Sequence, residues 1–183
     1  MKLIKMKNSN VLFPILIIIL FISAGTPSQD KTGDTTWSQW QPLVGTWKGN
    51  NSGEPGQGEG YFTFGFELSG NILMRKGHTV FPGHENQPAR VHDDVLIIYK
   101  ENSGVPDKAD YFDSDGHVLH YNISYSGNGI IMLTSIPAKD SPTFRLTFIK
   151  MDNTSMDIKF EYAMPGNPEE FKVHVEGLVI KTE

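Results

Sequence analysis

The chain has 183 residues, a formal net charge of −5 and no cysteine. That length favours one domain with a self-sufficient core, and the missing Cys rules out a disulfide-built scaffold. The acidic balance makes nucleic acid a poor partner, because gripping a phosphate backbone needs a basic face.

Lys2, Lys5 and Lys7 lead into an apolar run from Val11 to Ile22, interrupted only by Pro14, and Ser23-Ala24-Gly25 follow it. A basic start, a short apolar stretch and small residues are what a signal peptidase reads, so residues 1–25 are expected to be a cleaved signal peptide. The apolar run is too short to span a bilayer comfortably, and no Cys stands near the cleavage point to carry a lipid. The expected product is a periplasmic or secreted protein with no stable membrane anchor after cleavage. Losing three lysines and no acid moves its formal charge from −5 to −8. Residues 26–35 are small and polar and read as a flexible linker. The folded domain is expected over residues 36–183.

Trp37 to Val44 suits a short helical turn leading into the first strand. Beyond Gly45 no long amphipathic helix is legible; short alternating runs recur, separated by Gly, Pro, Asn and Asp. Strands are predicted near 44–50, 60–68, 71–81, 91–100, 108–113, 117–126, 129–136, 142–151, 155–162 and 170–181. In the second of these, Phe62, Phe64, Phe66 and Leu68 share one face, while Tyr61, Thr63, Gly65 and Glu67 share the other. Met156, Ile158, Phe160 and Tyr162 alternate with Ser155, Asp157, Lys159 and Glu161 in the same way. Ser69-Gly70-Asn71, Ser114-Asp115-Gly116, Gly127-Asn128-Gly129 and Asp152-Asn153 fit tight hairpins. Consecutive hairpins make an up-and-down meander, which escapes exposed edges by closing on itself. The predicted fold is all-β: an antiparallel barrel of about ten strands, with an open two-sheet sandwich as its rival. Strands 71–81 and 142–151 carry apolar and polar residues on both faces, so alternation does not say which face is inward.

Gly56-Gln57-Gly58-Glu59-Gly60 has the glycine richness of a phosphate loop, but a strand follows where a helix N-terminus is required, so it reads as a plain loop. Asp113-Ser114-Asp115-Gly116 begins like a calcium loop yet lacks the later ligands and the bidentate Glu, so it reads as a hairpin turn. In His92-Asp93-Asp94, alternation puts His92 and Asp94 on one face. A metal-assisted or acid–base site built on these two, with Glu161 from a distant strand, is the catalytic reading. No second His or Cys stands at ligand spacing, and His117 and His120 differ in parity. No nucleophile elbow or Ser- or Cys-centred triad pattern occurs either. The expectation is no metal and no enzyme.

Gly45-Thr46-Trp47 is the most informative short signal, because a Trp at the start of a first strand can plug one end of a barrel. Four further stretches go with Leu43–Gly49: Ser52–Gly58, Val91–Asp94, Tyr111-Phe112-Asp113, and Gly116-His117-Val118 through His120-Tyr121. Together they resemble the lipocalin-like (calycin) bacterial family of unknown function 1579, over nearly all of residues 43–181. The resemblance implies a lipocalin-like barrel of about ten strands and no established activity. Typical lipocalins stack a late Arg on the signature Trp; here no Arg follows Arg145, and Lys181 is the nearby cation. A looser similarity is to nitrobindins, heme-binding barrels that also open on Gly-x-Trp-x-Gly and hold heme through a His of the final strand. The matching residue is His174, within Val173-His174-Val175-Glu176-Gly177-Leu178. Alternation there places Phe171, Val173 and Val175 inward, which turns His174 to solvent with Glu176 on its side.

The leading functional expectation is a module that binds a small hydrophobic molecule. Phe62, Phe64, Phe66, Met156, Ile158, Phe160 and Tyr162 are expected to line its interior, and Arg75 or Arg145 to meet a ligand carboxylate. Gly45 and Trp47 are expected to close the barrel. Heme held by His174 is the alternative cofactor reading. A filled core in a structural or protein-interaction domain is the other. Oligomeric state stays open.

Overall fold

The structure is a computed structural model, and it describes residues 35–49, 58–83, 88–127 and 129–182. The expected signal peptide, nearly all of the linker and the first half of the glycine loop lie outside the described residues. Ten strands follow in order: β1 (Gly45–Gly49), β2 (Glu59–Glu67), β3 (Ile72–Phe81), β4 (Arg90–Tyr99), β5 (Lys108–Asp113), β6 (Val118–Ser126), β7 (Ile130–Ser135), β8 (Thr143–Lys150), β9 (Ser155–Ala163) and β10 (Lys172–Lys181). Each pairs antiparallel with its neighbour in sequence, and β1 pairs with β10. The sheet is therefore a closed up-and-down barrel of calycin-like type, not a sandwich.

Register settles the inner faces that alternation left open. Phe66, Leu73, Ile98, Ala109 and Tyr121 form one inward rung, and Phe64, Arg75, Leu96 and Tyr111 the next. Phe62, Gly77, Asp94 and Asp113 lie on the rung above. On β8 the inward residues are Phe148, Leu146 and Phe144, opposite Ile131 and Leu133 on β7 and Ile158, Phe160 and Tyr162 on β9.

One end of the ring is sealed. Two single 3-10 turns, Thr35–Trp37 and Gln41–Leu43, lay Trp37, Trp40 and Leu43 across it, all buried. Trp37 meets Phe66 edge-on at 5.2 Å, and Trp40 packs on Phe64 and Phe148, each at 6.1 Å between ring centroids. The Trp40 indole N–H donates to the Tyr125 hydroxyl at 2.8 Å, which donates to the Pro106 carbonyl at 2.6 Å. A buried indole stays cheap only when its N–H is satisfied in this way. Trp47 donates to the Leu43 carbonyl at 2.7 Å and sits beneath the Lys181 ammonium, 5.5 Å from its ring centroid. Lys181 also donates to the Pro42 carbonyl at 3.1 Å, so a lysine ties the last strand to the plug where lipocalins use Arg. Gly45 starts β1 at φ 126°, a conformation that a side chain would strain. Below the middle rung the interior is solid: Phe64, Leu73, Leu96, Ile98, Ile131, Leu133, Phe148 and Met156 are all buried. Phe64 and Met156, expected to line a cavity, are part of this filled core, and Phe62, on the rung above, is buried against it.

The hairpin turns at 69–71, 114–116 and 152–153 fall where the sequence puts them, while Asn128, at the centre of the fourth, lies outside the described residues. Asp152 accepts from the backbone N–H groups of Thr154 and Ser155, both at 2.7 Å, and these bonds bring its carboxyl down to about 2. The Asp113 carboxylate organises the β5–β6 turn likewise, accepting from the backbone of Asp115 at 3.0 Å and of His117 at 2.9 Å.

Candidate functional site

The end of the barrel opposite the tryptophan plug differs in kind. In a ring of ten strands β4 and β9 lie five apart in either direction, so their inner faces oppose each other. On the β8–β10 side, Phe144, Leu146, Phe160 and Tyr162 point inward by register but are only half-buried. Phe144 and Phe160 stack at 5.7 Å with their planes 5° apart. Gly177 faces inward opposite Ile158, and among the described residues nothing lies within 4 Å of where its Cβ would stand. Among the described residues this inner wall is apolar yet half-exposed, and that marks it as a mouth.

The final strand corrects the sequence reading. Val173 pairs with Glu161 and Val175 with Phe160, so His174 is the extra residue of a β-bulge. The bulge reverses the parity inferred from alternation: Val173 stands opposite the outward Glu161, and His174 turns in. Its ring meets Phe160 at 6.0 Å and Tyr162 at 6.2 Å, edge-on to both. Glu176 is not on the same side; it faces out and pairs with Lys159 at 3.4 Å. Neither Gly nor Pro marks this bulge in the sequence, so alternation had no reason to break there.

The facing wall is polar. Arg75 lies 4.6 Å over the Phe62 ring and is ion-paired with Asp94, with side-chain exposures of 16% and 9%. The Asp94 carboxylate rests directly on Gly77, whose missing Cβ makes the room. The Arg75 Nε is buried with no hydrogen-bond partner among the described residues. Burial, with the negative charges of Asp94 and Asp113 adding to it, keeps the Tyr111 hydroxyl protonated well above its ordinary range. Burial does the same for Tyr121. His92 completes the rim, with Nδ1 3.1 Å from Asp115 and Nε2 3.3 Å from the Tyr111 hydroxyl. Gly77→Ala is expected to push Asp94 off Arg75 and to cost about 1–3 kcal/mol, since the guanidinium loses its partner while it stays largely buried. Urea unfolding of the variant measures this, and a loss below about 0.5 kcal/mol contradicts it.

No known family model matches the chain, and neither does any curated protein. What the barrel does is thus written only in its own geometry.

Three other expectations meet that geometry differently. Arg145 is not at the mouth. It points outward, donates to Glu161 at 2.7 and 2.9 Å and lies 3.8 Å over the Phe171 ring. His92 and Asp94 do share the inner face of β4, but Glu161 lies on the outer face of β9, so the three never meet. His92, Asp113 and Asp115 bring ligand atoms within 4.8 Å of one another. Both Asp113 oxygens are already committed there, to backbone N–H groups of the turn, to the His117 ring at 2.9 Å and to the Tyr111 hydroxyl at 3.3 Å. That is the wiring of a turn. A groove of about 340 Å³ at the sealed end is edged by Ser38, Gln39, Lys150 and Asp152 and has no aromatic wall.

Proposed function

We propose that the protein is an exported binding module of lipocalin-like type, akin to the family of unknown function 1579, whose mouth takes up a small, largely apolar molecule. The observation that carries this is the half-exposed inner wall of Phe144, Leu146, Phe160 and Tyr162 above a sealed base. Leaving large apolar side chains wet forfeits about 25 cal/mol for every Å² unburied. A ligand seated against them recovers that loss, while the tryptophan plug gives it a floor. Titration with the neutral fluorophore 1-aminoanthracene tests the reading. Saturable binding is expected, weakened about tenfold in Phe160→Ala, which equals about 1.4 kcal/mol of lost contact. Absence of saturable fluorescence gain in the native protein would sink it.

A second reading, heme, is favoured by the bulge that turns His174 into the mouth. The surroundings fit an axial ligand: the flanking rings are apolar, and the Glu176 carboxylate faces outward, toward Lys159. Bound there, heme would supply gas or redox chemistry, and His174 would hold it. Added hemin should then give a Soret band that His174→Ala abolishes; a band unchanged in the variant removes this ligand.

A further inference from the structure

We propose that Arg75 and Asp94 form the head-group site of the mouth, reading a paired donor and acceptor on the edge of an uncharged, flat molecule and discriminating against its carboxylate counterpart. This rests on the reading of the mouth as a binding site. The wall that holds the pair faces the aromatic wall across the barrel, so a flat molecule standing edge-on between them, one edge against Phe160 and Tyr162, turns its other edge toward Arg75 and Asp94. Among the described residues, the single hydrogen bond of Arg75 goes to one Asp94 oxygen. Neither its Nε nor the second Asp94 oxygen, the one resting on Gly77, has a hydrogen-bond partner among the described residues. One donor of Arg75 and one acceptor of Asp94 are thus left with valence to spare among the described residues. A buried donor left unmade is costly, so the guanidinium gains by turning its Nε–H toward a ligand carbonyl.

A bare arginine in an apolar mouth would call for a carboxylate. Here Asp94 already neutralises it. Histidines aside, three carboxylates (Asp94, Asp113 and Asp115) stand on this side of the mouth against two guanidiniums, Arg75 and Arg90. A ligand anion arriving beside Asp94 meets a like charge at low dielectric, whereas an amide or lactam edge meets only matched dipoles. Tyr111, neutral across the working range, adds a hydroxyl to the same wall. The inward Gly77 is what gives the Asp94 carboxylate room to lie against β3.

Two probes with the same apolar body separate the cases: 2-naphthamide and 2-naphthoate, titrated into the purified protein near neutral pH and followed by their own fluorescence. The amide is expected to bind at least about tenfold more tightly than the carboxylate. In Asp94→Asn the guanidinium loses its counter-charge, and the order is expected to reverse in favour of naphthoate. Equal binding of the two probes, or a native preference for naphthoate, overturns the head-group assignment while the mouth still stands as a binding site. A folded Asp94→Asn protein that keeps the native order overturns it too. Binding of neither probe overturns both readings. The native comparison needs no variant, so it decides even where Asp94→Asn fails to fold.

Discussion

Replacing Trp40 with alanine is expected to lower the unfolding free energy by about 3–5 kcal/mol, the range for deleting a large aromatic from a packed core. Three losses coincide at this residue. The side chain is fully buried, so its whole apolar area is at stake. It bridges Phe64 on β2 and Phe148 on β8, strands on different sides of the ring, so the plug loses the piece that braces both. Its departure also strips the Tyr125 hydroxyl of a donor inside the sealed end. Tyr125→Phe isolates that last component: the Trp40 indole N–H then has no acceptor, which should cost about 1–3 kcal/mol. Urea unfolding followed by circular dichroism reads both variants. A Trp40→Ala loss below about 1 kcal/mol would mean that the plug is not what closes the barrel.

Arg145→Met is expected to cost about 2 kcal/mol. Glu161 is 7% exposed and takes two hydrogen bonds from Arg145, so removing the guanidinium strands a nearly buried carboxylate. The figure sits below the usual range for buried pairs because the Arg145 side chain is 26% exposed. The same pair predicts a pH signature. The Arg145 hydrogen bonds hold the Glu161 carboxyl below its ordinary 4.5, against the pull of burial. A carboxyl depressed in the folded state adds stability that is complete above its unfolded value and disappears as pH falls through the lowered one. In Arg145→Met burial becomes the largest influence on the stranded carboxyl and pushes it up, so the deficit against the native protein should shrink as pH falls, beginning above the ordinary 4.5 and ending below it. A deficit independent of pH would place the loss in the Phe171 stacking instead. Replacing both partners, Arg145→Met with Glu161→Leu, should restore most of the stability, because the uncompensated charge goes with the partner.

Fold and site were unequally readable. Alternation and turn residues located all ten strands, since hydrophobic period and Gly, Asn and Asp punctuation are local properties. Closure followed from the absence of any crossover segment. Gly45 and Trp47 announced one end, but the heavier plug residues, Trp37 and Trp40, looked like ordinary members of a polar-flanked turn. Which face of β3 and β8 turns inward depends on register with neighbouring strands, and only pairing supplies it. The bulge at His174 sits in an unbroken alternating run, so the sequence put the imidazole on the wrong side. Arg75 and Arg145 look alike in sequence, each a lone cation in a strand. Their different roles come from what stands across the sheet: Asp94 and a glycine inside for one, Glu161 and Phe171 outside for the other.

The tryptophans give a direct test of the central claim, that the mouth between Phe160 and Arg75 binds an apolar guest above a solid base. Trp37, Trp40 and Trp47 all lie at the sealed end. In a ¹H–¹⁵N spectrum of the labelled protein titrated with 1-aminoanthracene, signals of His174 and the Arg75 guanidinium should shift and saturate together, while the three indole N–H signals stay in place. Indole signals that move while His174 and Arg75 do not would put the guest at the plug and contradict the account.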